Sequence, residues 1–223
     1  MAARHVVHLI GWGLGCASAP VLLRSVFGRG WGVIGVALAI VATVWLTIVL
    51  PRSAHKAFEG AKWKRAARRY RLLRAFAFSD HRERAAILSH AACDIELQNR
   101  DAASRLLASI EPTDTTERVV WLNNRACILL EDEAAAAQAL ALVEEATALR
   151  PDVPAIQHTR ARALLAVGRT DEAISVFESM RSGGELPPHL EAERCRDLAR
   201  AWEKKGQADY AADYRERARL HAS

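Results

Sequence analysis

The stretch ARALLAVGRTDEAISVFE, residues 161–178, returns in altered form as ARAWEKKGQADYAADYRE at residues 199–216. Aligned without a gap, the two copies match small residues to small residues and a glycine to a glycine at a constant shift of 38 residues. The matched pairs are Ala161 with Ala199, Gly168 with Gly206, Ala173 with Ala211, and Met180 with Ala218. Apolar residues recur three and four positions apart in this region, which is the spacing of one face of an α-helix. The repetition therefore predicts a chain built from a recurring helical unit.

Two looser copies precede this pair. The nearer one has Ala126 at a matching place before the turn. Its turn, near Asp132, is one residue longer than in the later copies, and Ala139, Val143, Ala146 and Pro151 then follow at matching places. The copy before it has Ala91, Ala103, Leu107 and Ile110, with Gln98 where the last two copies have glycine. Because no stretch shows the alternation of a strand, we expect an all-α fold with repeats at 84–117, 119–153, 154–187 and 192–223.

This pattern resembles the tetratricopeptide repeat, a helix–turn–helix unit of about 34 residues. The resemblance covers about 140 residues in four copies, and it implies an α-solenoid of about four helix pairs over residues 79–223 that share one core. It also implies that the first helix of each pair lines a concave groove for a peptide or a partner domain. The residues at groove places include Asn123, Asn124, His158, Arg162, Arg196 and Arg200.

The groove arginines have two interpretations. Arginine binds carboxylates through two parallel hydrogen bonds, which favours an acidic or C-terminal peptide as the partner. Alternatively, the arginines pair with the neighbouring carboxylates of Glu193, Asp197 and Glu203.

Residues 31–50, WGVIGVALAIVATVWLTIVL, form a run of 20 residues without a charge. As a helix, this run spans about 30 Å, the hydrocarbon thickness of a bilayer. We expect the membrane span to end at Pro51-Arg52, at the membrane–water interface. The earlier stretch 6–23 is less apolar and would be a second span. We therefore predict a membrane anchor over residues 1–51, either one transmembrane helix or a helical hairpin.

The formal net charge of +5, from 31 basic and 26 acidic residues, conceals two different parts. Residues 1–74 hold 12 basic residues and one carboxylate, Glu59, which leaves 19 basic and 25 acidic residues for the rest. Most of the early basic residues directly follow the predicted span. By the positive-inside rule, everything after residue 51 lies in the cytoplasm, beneath a cytoplasmic membrane. The alternative is a chaperone-like tether on the outer side of that membrane.

Residues 52–78 are predicted to form a basic juxtamembrane helix. Its apolar face, with Trp63, Ala66, Tyr70 and Leu73, would cap the solenoid. Its basic face would contact anionic lipid headgroups through Lys62, Lys64, Arg65, Arg68, Arg69 and Arg71. Nucleic-acid binding through residues 52–74 is the alternative, because basic residues interleaved with Trp and Tyr contact phosphates and bases. Beside a membrane span we favour lipid, and we expect no nucleic-acid partner.

The sequence contains no familiar catalytic or metal-binding motif. Its eight histidines include no H-E-x-x-H, and its four cysteines include no C-x-x-C. Gly11, Gly13 and Gly15 lie in an apolar segment rather than in a strand-to-helix turn, so they are no dinucleotide-binding fingerprint. We expect no enzyme activity, no cofactor and no metal. The predicted function is a scaffold that recruits an unidentified protein partner at the cytoplasmic face of the membrane.

Overall fold

The computed structural model describes residues 11–15, 17–18, 21, 25, 29–180 and 186–221. All regular elements within these ranges are helical, which confirms the all-α prediction. Residues 11–15 and 17–18 of the predicted second span are helical, while most of the remaining stretch 6–23 lies outside the described residues.

Eleven α-helices follow one another along the described residues from Arg29 onward. They are α1 (Arg29–Val44), α2 (Leu50–Glu59), α3 (Trp63–Ala75), α4 (Asp80–Glu96), α5 (Arg100–Ala108), α6 (Thr115–Leu129), α7 (Ala136–Leu149), α8 (Pro154–Ala166), α9 (Thr170–Ser179), α10 (Pro188–Lys204) and α11 (Ala208–His221). A π-helical turn, Trp45–Val49, joins α1 to α2, and a 3₁₀ turn, Glu133–Ala135, precedes α7.

The helix that contains the predicted span continues beyond Pro51. α1, the π-helical turn and α2 form one continuous helix that runs through Pro51 to Glu59. Proline lacks the N–H that would bond one turn back, and its ring crowds that turn. A π-helical turn immediately before Pro51 changes the local hydrogen-bond spacing, so the helix can continue. The predicted basic helix 52–78 is consequently two helices, α2 and α3, separated by a turn in which Ala61 has a φ of +52°.

Packing divides the chain into two units. The first comprises residues up to Cys93 except 59–61, and the second comprises 59–61 and Asp94–Ser223. Alanines of α2 and α3, with Tyr70 and Cys93, form a buried cluster in the first unit. The boundary between the two units lies within α4, because Cys93 belongs to the core of α2 and α3.

The second unit is a series of helix pairs. The helices of α6/α7, α8/α9 and α10/α11 pack within each pair, and α7 and α9 pack on the first helix of the pair that follows. These three pairs overlap the predicted repeats 119–153, 154–187 and 192–223, while α4 and α5, at the place of the predicted repeat 84–117, are divided between the two units. Alanines at the predicted crossing positions are fully buried, among them Ala126, Ala139, Ala161, Ala173 and Ala211. The arrangement is a helical-repeat fold of the tetratricopeptide type.

Left-handed backbone marks the turn inside three of the four pairs. Gly168 and Gly206 have φ values of +83° and +73°, and Gln98 has a φ of +61° at the equivalent place. Glycine adopts this conformation without cost, whereas a side chain there is disfavoured by about 1–2 kcal/mol. Gln98 is therefore a strained substitute for the glycine of the repeat.

A buried arginine joins α9 to α10. Arg194 is 1% exposed, and its guanidinium binds Glu191 through two hydrogen bonds of 2.7 and 2.5 Å. Its Nη1 also donates to the carbonyl of Phe177 at 3.0 Å, one of the last carbonyls of α9. Such carbonyls have no partner within their own helix. Arg194 of α10 thus caps the C-terminal end of α9, the last helix of the preceding repeat.

Replacing Gln98 by glycine is expected to raise the free energy of unfolding by about 0.5–1 kcal/mol. The gain is the relief of the left-handed backbone, reduced by the larger entropy of glycine in the unfolded chain. Thermal unfolding of the full chain in detergent, followed by circular dichroism, measures it. Gln207→Gly is the matched control, because Gln207 follows Gly206 and is not among the residues with positive φ. Equal shifts for both variants would contradict the strain at Gln98.

Candidate partner-binding groove

The first helices of successive repeats lie side by side. α6 contacts α8, and α8 contacts α10. Between α6 and α8, the Cys127 Sγ and Thr159 Oγ1 atoms are 3.4 Å apart. Between α8 and α10, His158 Nε2 lies 3.1 Å from Asp197 Oδ2. These contacts join the first helices of three successive repeats.

Asp197 is a buried carboxylate that contacts three basic side chains. Arg200 Nη1 donates to its Oδ1 at 3.1 Å, and Arg162 Nε lies 3.9 Å from its Oδ2. His158 Nε2 lies closer to the same Oδ2 atom, at 3.1 Å. Burial by itself would raise the pKa of Asp197, but His158, Arg162 and Arg200 outweigh burial and the pKa is lowered. The carboxylate is therefore ionised at neutral pH and holds α8 against α10.

The three predicted arginines differ in their availability. Arg162 is half-buried and also lies 3.6 Å from Glu131 Oε1, while Arg200 is tied to Asp197. Arg196 is exposed and donates only to the carbonyl of Ala192, at 3.3 Å, with no ion pair among the described residues. Arg162 and Arg200 therefore pair with carboxylates of the protein itself, which is one of the two interpretations of the sequence. Arg196 is free to bind an external carboxylate.

The other predicted groove residues lie deeper. Asn124 and His158 are buried and offer little surface to a partner. Asn123 is half-buried, and its Oδ1 atom is shielded from solvent without a hydrogen-bond partner among the described residues. An unpaired buried oxygen is costly, and because this atom is shielded it offers no surface to a partner.

Glu96 is a groove residue that the sequence did not reveal. It ends α4 and is exposed, yet the helices around it reduce its hydration, and this raises its pKa to about 7. Repulsion from Glu193 acts in the same direction, whereas Arg162 and Arg196 lower the pKa. The repeat pattern is loosest around Glu96, with Gln98 in the glycine place, so the sequence does not identify groove positions there. Glu96, Glu193 and Arg196 give the groove a rim of both charges.

The basic face of α3 is mostly exposed, as predicted. Lys62, Lys64, Arg65, Arg68 and Arg71 face solvent. Arg69 is half-buried, because its Nη1 donates to the carbonyl of Ser53 at 2.7 Å and ties α3 to α2. Tyr70 is buried, and the Trp63 ring packs edge-on against Phe58 at 5.0 Å between ring centroids. Of the two aromatic side chains, Tyr70 is thus buried, and Trp63 is half-buried.

One helix among the described residues, Val33–Glu59, is long and apolar enough to cross a membrane. Core helices of soluble proteins can be equally long and apolar, but they are mostly buried. In this helix, 17% of the most apolar 18-residue stretch is buried. A signal sequence also fits by length and composition. Val33, Leu38 and Val41 are more than 60% exposed.

No protein-family model and no curated protein matches the chain. Solved structures resemble it at low identity. A structure of MamA MSR-1 is 15% identical, covers 80% of this chain and 97% of its own, and has a TM-score of 0.44. MamA AMB-1 is 17% identical, covers 78% of this chain and 98% of its own, and has a TM-score of 0.46. At these scores the likeness carries no argument about function.

Ionisation of Glu96 is expected to make the folded chain less stable as the pH rises. The unfolded chain loses this proton near pH 4.5, whereas the folded chain keeps it until about pH 7. Between these values the unfolded state binds fewer protons, so stability falls with increasing pH and the full penalty is present above pH 7. Glu96→Gln removes this contribution.

The measurement is the melting temperature of the parent chain and of Glu96→Gln across that pH window. The melting temperature of Glu96→Gln should rise relative to that of the parent chain as the pH increases. Glu133→Gln, an exposed change in the 3₁₀ turn, serves as the control. A constant difference at all pH values would contradict the raised pKa.

Proposed function

We propose that this chain is a membrane-anchored scaffold whose helical repeats hold a protein partner in the groove. The observation that carries the proposal is the face formed by α6, α8 and α10. There a rigid floor around Asp197 lies beside exposed groups of both charges, including Arg196 and Glu96. Such a face suits recognition of an extended segment by charge and hydrogen bonds more than it suits catalysis.

The partner's chemistry follows from the rim. Arg196 is exposed and without an ion pair among the described residues, which favours a carboxylate. A peptide segment provides this group through an acidic side chain or its C-terminus. We therefore favour a peptide segment with an acidic residue or a free C-terminus.

Anchoring is supported by the exposed apolar surface of α1 and by the charge that follows it. Soluble monomers rarely expose a contiguous apolar surface of this kind. The basic residues of α2 and α3 come directly after the apolar helix, which favours a cytoplasmic location for the repeats. The exposed part of the α3 basic face would then meet anionic headgroups, each charge contributing about 1 kcal/mol near the surface.

Topology can be tested with single cysteines. In a chain whose native cysteines are replaced by alanine, Ser53→Cys or Ser223→Cys should resist a membrane-impermeant thiol reagent in intact cells and react after lysis. The chain should also stay with the membrane after alkaline carbonate extraction. Labelling in intact cells would favour the extracytoplasmic tether, and release by carbonate would contradict anchoring.

Partner binding can be tested by crosslinking in native membranes followed by mass spectrometry. A protein recovered with the parent chain should fall about tenfold with Arg196→Glu, because reversing the charge removes a charge-assisted contact and adds repulsion. Arg219→Glu is the matched control, since Arg219 is exposed on α11 and pairs with Glu216 at 3.1 Å. Equal recovery with both variants would show that the groove is not the binding surface.

A further inference from the structure

A pocket of about 350 Å³ lies in the first unit and is separate from the groove. One wall is the continuous apolar helix at Leu46 and Pro51, and a second is α3 with Leu73 and the following Phe76. The start of α4 forms the third wall, where alanines such as Ala85 leave space between the helices. All of its lining residues belong to the first unit, and one of them, Phe78, also contacts the Trp12 ring at 6.0 Å between centroids.

The pocket combines an apolar interior with a basic side chain. Arg82 and His55 are its ionisable lining groups apart from Tyr70, and none of the described lining residues is acidic. Arg82 is exposed and has no ion pair among the described residues. A ligand that matches this lining has a long apolar part and an anionic head, because a cation would find no counter-charge there.

The source of such a ligand follows from the helix that forms the first wall. Val44, Ile48 and Val49, next to the pocket on the same helix, are more than 40% exposed. If this helix lies in a bilayer, lipid chains already surround the pocket's edge. A volume near 350 Å³ lies at the lower end of the range for small-ligand sites, about 300–1,000 Å³, and so suits one acyl chain better than a whole lipid.

We infer that this pocket takes one acyl chain of an anionic membrane phospholipid, whose phosphate binds Arg82. The inference rests on the membrane anchoring proposed above. It makes the first unit a specific lipid site and not only a surface attracted to negative charge. Preference for a lipid class would then depend on one arginine inside a shaped pocket, in addition to the exposed basic face of α3.

The test uses the full chain in nanodiscs with equal amounts of phosphatidylcholine and phosphatidylglycerol. After release into mild detergent, native mass spectrometry should show one retained phosphatidylglycerol. Arg82→Gln should reduce the preference for phosphatidylglycerol about tenfold, because a charge-assisted contact is lost. Ala85→Trp should prevent retention of either lipid by filling the pocket. Arg105→Gln, the same loss of charge on α5, should behave like the parent chain.

The outcomes separate this inference from the proposed function. A chain that enters nanodiscs but retains lipid equally in the parent, Arg82→Gln and Ala85→Trp overturns the pocket and leaves anchoring intact. A lipid-free dimer also overturns it, because a second copy would then occupy the site. A chain that stays out of nanodiscs overturns both. If circular dichroism shows that Ala85→Trp does not fold, the lipid preference of Arg82→Gln decides alone.

Discussion

The packing of the second unit depends on the close approach of its helices at buried alanines. Within each of the last three pairs, buried alanines lie at the predicted crossing places, such as Ala161 and Ala173 in α8/α9. A larger side chain in a close-packed crossing costs about 1–3 kcal/mol and shifts the backbone. The polar contacts of the groove depend on that spacing, because His158 and Asp197 meet across two helices at 3.1 Å. Stability and the binding face therefore have the same physical origin.

The groove has a fixed floor and an adaptable rim. Taking the Asp197 carboxylate out of water is costly, and the cost is offset only while His158, Arg162 and Arg200 stay close to it. Those side chains are consequently held in place. Arg196 and Glu96 are exposed, and each can change its hydrogen bonds when a partner arrives. Glu96 also changes charge near neutral pH, so the rim's balance of charges varies within the physiological range.

Periodicity was enough to predict the helices and their pairing, because the positions of buried alanines and turn glycines are local properties of sequence. Even Gln98 was recognised as the residue in a glycine place, and its φ is positive. Three features were out of reach for a physical reason. A π-helical turn is a choice between hydrogen-bond registers that leaves no residue pattern, so the sequence does not show that the helix continues through Pro51. Glu191 and Arg194, three residues apart, look like a surface ion pair until tertiary packing buries them. The burial of His158 depends likewise on α10, thirty residues or more along the chain.

Net charge and local charge act on a partner over different distances. The repeats carry an excess of carboxylates, which at first argues against an acidic ligand. At physiological ionic strength, however, exposed charges more than about 8 Å apart are largely screened. Arg196 in direct contact with a carboxylate is screened far less than the dispersed surface charge, so local contacts decide which group docks. The dispersed charge affects mainly the rate of encounter and its salt dependence. An acidic segment is therefore compatible with acidic repeats, provided that it is presented directly at Arg196.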